Sequence, residues 1–132
     1  MRVLLAPPLR SQVQQLADEA APRECCGLLV GAREEGVLRV TSLYPARNLA
    51  VETDRFEIAP QDHFAAQRSA RANGFAVIGC YHSHPGGAAQ PSATDLAGAV
   101  QDGFLWLIAN GEELNAFVYC DGVFRGCVTG AD

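Results

Sequence analysis

The stretch GFAVIGCYHSHPGGAAQPSATD, residues 74–95, restricts the fold of this chain more than any other. A short apolar run rich in β-branched and aromatic residues ends in His82 and His84, and such a run reads as a buried strand. The loop that follows, 85–91, holds two glycines and two prolines, and a helix start is expected near Ser92. On a strand, side chains two residues apart project from the same face, about 6.6 Å apart. His82 and His84 therefore face one way, at the end of a strand that the fold has to bury. The loop can reverse the chain and bring Asp95 back over them. The chain has only three histidines, so two at this spacing need a chemical reason.

Two imidazoles and one carboxylate form a ligand set that suits zinc. Three protein ligands leave a fourth position open, which marks a catalytic rather than a structural site. Such an ion activates water for hydrolysis, and hydrolysis also needs a proton carrier. Glu24, in PRECCGLLVG, stands just before an apolar strand. A carboxylate there risks burial without a partner unless something uses it. Plainer readings exist for each residue. Glu24 suits an exposed strand end, and a lone H-x-H suits one exposed and one core histidine. S-x-x-D is nearly a capping box, ordinary chemistry at a helix start. A carboxylate that ligates a metal is not free to cap, so the two readings of Asp95 compete.

The rest of the chain supplies elements around this unit. Residues 9–20 read as a helix, with Ser11 and Gln14 as a capping box near its start. A hairpin follows, with a strand over 25–30, a turn over 31–36 and a return strand from Val37. Residues 45–58 read as irregular. Pro60 opens a second helix that stops at Gly74; it carries His63, which reads as a surface residue. Three strands close the chain: FLWLIAN, LNAFVYC and VFRGCV. With no repeat and no linker, one domain over 1–132 is expected, of α+β or mixed α/β class.

Charge and cysteine content set further bounds. Net charge is −5 and the ten Lys and Arg are scattered, so nucleic acid and anionic membranes are not expected partners. No apolar run is long enough to span a bilayer, and a cytoplasmic protein is the expectation. The five cysteines are odd in number and form no C-x-x-C pair, so they read as buried, reduced thiols. Cys25 or Cys26 stands close enough to Glu24 in sequence to close the metal site as a fourth ligand, and a metal–sulfur bond would mark that case. Asn48, in ARNLA, reads as a loop residue making its own turn, with fixing of backbone near the substrate channel as the alternative, and Trp106 reads as core.

Taken together, Glu24, His82-Ser83-His84-Pro85, Ser92 and Asp95 resemble the JAMM motif of the MPN-domain (JAB-type) zinc metallopeptidases. ECCGLLVG, YPARNLA, FEIAPQDHF and VIGCYHSHPGGAAQPSATD look like the blocks of the small prokaryotic members, so the resemblance covers nearly the whole chain. It implies a curved, mostly antiparallel sheet flanked by helices, similar to the cytidine deaminases. It also implies hydrolysis of peptide or isopeptide bonds after the C-terminal glycine of ubiquitin-like proteins. By position in the motif, His82, His84 and Asp95 hold one zinc per chain, Glu24 is general base and then general acid, and Ser92 donates a hydrogen bond to the oxyanion. The chain has no room for the long insertions that grip two ubiquitins. Small members of this kind act on sulfur-carrier proteins of β-grasp fold that end in Gly-Gly, so such a carrier is the expected partner, with a homodimer as one assembly open to the chain.

Two other function classes compete. A zinc deaminase needs H-x-E with P-C-x-x-C, and neither is present. A non-enzymatic zinc-binding scaffold is the remaining alternative, and it leaves Glu24 without a use.

Overall fold

The computed structural model describes residues 1–131. Its elements in chain order are β1 (Arg2–Leu4), α1 (Pro7–Ala20), β2 (Cys26–Glu34), β3 (Val37–Ala46), α2 (Pro60–Ala72), β4 (Ala76–Ser83), α3 (Ala93–Gly98), β5 (Phe104–Ala109), β6 (Leu114–Cys120) and β7 (Val123–Gly130). All seven strands join one closed sheet in the order β1-β3-β2-β4-β5-β6-β7.

The expected curved, mostly antiparallel sheet is met in part and differs in detail. The sheet is closed and mixed, because β1 runs parallel to both β3 and β7, and β4 runs parallel to β5. The other four pairings are antiparallel. Three residues, Arg-Val-Leu, are too few to show a strand period. They become β1 because β3 and β7 leave facing edges whose backbone groups need partners.

Helix α1 also differs at its start. Ala6 is its N-cap and provides no side-chain bond, and two prolines fill the first turn. Proline loses nothing there, because the first N–H groups of a helix lack internal partners in any case. Ser11 and Gln14 lie inside the helix and make no box; Gln14 Nε2 instead donates to the Glu113 carbonyl at 3.1 Å. The first hairpin is longer than its apolar pattern suggests, since β2 extends to Glu34 and β3 to Ala46.

Two apolar clusters cover the two faces of the sheet. The larger joins Val13 and Ala17 of α1 to Leu29, Ile78, Tyr81, Leu105 and Leu107. The smaller joins Ala66 of α2 to Leu28, Cys80, Phe104 and Trp106. Strand β4 alternates between them, with Tyr81 on one side and Cys80 and His82 on the other. It sits tightly against β5: a β-carbon on Gly79 would collide with the Leu105 backbone. Among the described residues, no helix is long and apolar enough to cross a membrane.

Candidate metal centre and active site

The register of two strands sets the site. In the β2–β4 pair, Cys26 faces His82, and the same register continued puts Glu24 opposite His84. Ser83 fixes this junction. Its hydroxyl accepts the Cys25 N–H at 2.8 Å, and its own N–H donates to the Cys25 carbonyl at 3.2 Å. The sequence reading gave Ser83 no role; its position between the histidines was the available signal. The loop after β4 then turns back, and the N-terminus of α3 arrives over the strand end.

The structure brings three atoms to one point. His82 Nε2 lies 3.0 Å from His84 Nε2. Asp95 Oδ2 lies 3.1 Å from each. His84 Nδ1 is 2.8 Å from the Ala88 carbonyl, which only accepts, so Nδ1 carries the proton. In a neutral His84 that leaves a lone pair on Nε2, facing the lone pairs of Asp95. Such a triangle repels unless a positive species sits at its centre. Its edges are close to those of a tetrahedron with metal–ligand bonds of about 2.0–2.1 Å, which are about 3.3 Å. The donor set fits a zinc ion, and the Ala88 carbonyl would be the outer hydrogen-bond partner that fixes a ligating imidazole.

Asp95 does two things that the sequence reading set against each other. Ser92 Oγ accepts the Asp95 N–H at 3.0 Å, and Asp95 Oδ2 accepts the Ser92 N–H at 2.9 Å, a complete capping box. The same Oδ2 faces both imidazoles. One carboxylate oxygen has lone pairs for more than one neighbour, so capping aims this oxygen at the imidazoles instead of competing with that placement. Burial alone would raise the Asp95 pKa, but imidazoles that carry a proton toward it, together with the Ser92 N–H bond, hold it well below the usual carboxylate range.

Glu24 stands slightly apart. Its carboxylate lies within 4.8 Å of both imidazole nitrogens. It is buried, and its Oε1 has no hydrogen-bond partner. Burial pushes its pKa up to about 7, against the opposing pull of His84. Ser92 lies across the same cleft, which has a volume of about 660 Å³ and is also lined by His84, Thr53 and Asp54. The Ser92 oxygen accepts the cap bond, so its hydroxyl proton remains free to donate.

No cysteine joins the triangle among the described residues. Cys26 donates weakly to the Ala46 carbonyl at 3.8 Å, Cys25 packs on the larger core cluster, and Cys80 is buried with Leu28 and Trp106. Trp106 is core, and its ring also stands edge-on to His82 at 5.7 Å. His63 is not a plain surface residue: it is half-buried and lines a second cavity of about 670 Å³ with Phe56, Asp95 and Trp106. Asn48 does more than make its own turn: it also bonds the backbones of Glu24, Arg55 and Glu57.

Comparison with known proteins places the chain among relatives. The family model for prokaryotic homologs of the JAB domain matches residues 6–120. A desampylase of Haloferax volcanii is 32% identical over 114 residues, which is 83% of this chain and 81% of that protein. A desampylase of Pyrococcus furiosus is 36% identical over 87 residues, 66% of this chain and 59% of that protein. The solution structure of a protein from Desulfitobacterium hafniense matches with a TM-score of 0.89 at 28% identity, covering 100% of this chain and 93% of that one.

Proposed function

The chain belongs to the prokaryotic JAB-domain family, and we propose that it is a zinc-dependent hydrolase cleaving the peptide or isopeptide bond after the terminal glycine of a ubiquitin-like or sulfur-carrier protein of β-grasp fold. The observation that carries this reading is the triangle of His82, His84 and Asp95 beside a buried Glu24 whose Oε1 has no hydrogen-bond partner. That two relatives carry the name desampylase supports a hydrolase that acts on protein modifiers. The thiols Cys26 and Cys80, packed as small apolar side chains, suit a reducing, cytoplasmic setting.

His82, His84 and Asp95 would hold the zinc. Bound there, zinc would supply a Lewis acid that activates water and polarises the carbonyl under attack. Glu24 takes a proton from the attacking water, since its raised pKa lets it accept one and release it near neutrality. It returns that proton to the nitrogen of the leaving group as the C–N bond breaks. The free Ser92 hydroxyl proton donates to the carbonyl oxygen as negative charge develops there. A purely structural metal site would leave Glu24 buried with no task.

The proposed Gly-Gly specificity makes a prediction of its own. A tail of glycines lies extended beside the reacting carbonyl with no side chain to accommodate. Replacing the last glycine of a Gly-Gly carrier bearing extra C-terminal residues with valine is expected to slow cleavage at least about tenfold, equivalent to about 1.4 kcal/mol of lost transition-state binding. Changing the residue just after the cleaved bond should have a smaller effect. Mass spectrometry of both carriers checks this; equal rates would remove the Gly-Gly specificity from the reading.

A further inference from the structure

We propose that Asn48 is a positioning residue of the active site: its one carboxamide locks the backbones of Glu24 and Phe56, and through them the proton carrier and the His82 ring, into a single arrangement. This rests on Glu24 being the proton carrier.

All four hydrogen-bonding positions of the amide are used. Nδ2 donates to the Glu24 carbonyl at 3.0 Å and to the Arg55 carbonyl at 3.2 Å. Oδ1 accepts the Ala50 N–H at 2.9 Å and the Glu57 N–H at 3.0 Å. Two carbonyls and two N–H groups fix which end is oxygen. The Ala50 bond alone is an ordinary Asx turn; the other three reach out of the turn. One goes to Glu24, and the other two grip the peptide groups on both sides of Phe56, in a segment outside any helix or named strand. Among the described residues, a single isolated bridge, Asn48 to Ile58, ties it to the ladder.

Phe56 matters because of His82. His82 Nδ1 is buried without a hydrogen-bond partner, so no bond from that nitrogen sets the ring plane. The Phe56 ring lies stacked on it at 4.4 Å and 25°, and Trp106 stands edge-on. Trp106 is held by β5, whereas Phe56 is held by the Asn48 amide. Arg23 pins the outer part of the same loop by donating to the Ala50 and Val51 carbonyls. The amide thus joins the carrier of the proton to the wall behind a metal ligand.

The test is Asn48→Asp, which keeps the acceptors for Ala50 and Glu57 and removes the two donors. With the Gly-Gly carrier as substrate, kcat should fall about tenfold or more, as small misplacements of reacting groups do, while KM stays within about twofold. In the E24Q background the same change should cost much less, because residues acting through one group are not additive. Zinc affinity, measured by dye competition, should weaken about tenfold through the His82 arm. An unchanged kcat, or an equal loss in both backgrounds, overturns the proposal. If E24Q itself keeps full activity, the proton-carrier reading fails. Asn48 is then judged on zinc affinity alone, where an unchanged value in N48D overturns it. Should N48D not fold, the wild-type protein decides: its Asn48 side-chain amide protons should exchange slowly with solvent, and exchange at the free rate overturns the proposal.

Discussion

Replacing His84 by alanine should lower the zinc affinity of this protein by more than about 10²-fold, because loss of an outer hydrogen-bond partner alone costs 10–100-fold and His84 would be a direct ligand. Three donors define the site, and removing one leaves two. His84 is the better position for the test than His82. His84 sits at the rim, partly exposed, whereas His82 is fully buried and its loss would open a hole beneath Phe56 and Trp106. The wild-type protein should carry about one zinc per chain by elemental analysis. Asp95 should behave like His84, and its replacement by alanine also removes the bond that the Ser92 N–H donates within the capping box. If H84A holds zinc as tightly as the wild type, the triangle is not the metal site.

Glu24→Gln should do the opposite. Glutamine keeps the shape and removes the group that accepts and returns the proton, so hydrolysis should fall at least about 10²-fold while zinc stays bound. The contrast decides which carboxylate is the ligand. Both lie near the imidazoles, but Asp95 Oδ2 is at 3.1 Å from each nitrogen, and Glu24 is placed only within 4.8 Å. The nearer group holds the ion in this account, and the farther one, with its unpartnered Oε1, handles protons. E24Q should also be no less stable than the wild type, since a buried carboxylate with an unpartnered oxygen costs free energy and a neutral amide costs less. Loss of zinc from E24Q would assign the ligand role to Glu24.

The sequence shows much of this site because its chemistry is local. His82 and His84 share a strand face by period alone, and Ser92 and Asp95 stand a short loop away. Glu24 is distant in the chain, but a strand-end acid before an apolar run is visible by itself. What stayed hidden depends on contacts between segments with no local signal. Strand β1 exists only because β3 and β7 offer it two edges. The double use of Asp95 Oδ2 needed the true position of α3 over β4. Asn48 reads as a turn residue because one of its four bonds is an Asx turn; the other three cross to residues that only the fold brings near. His63 and Phe56 likewise carry no pattern that points to a cavity wall or to a ring stacked on His82.

The most direct measurement is mass spectrometry of a folded Gly-Gly carrier extended by a few C-terminal residues, incubated with this protein before and after treatment with a chelator. The account predicts one new product, ending at the second glycine, which disappears on chelation and returns when zinc is added back. Cleavage that survives the chelator, or a cut at another bond, would contradict it.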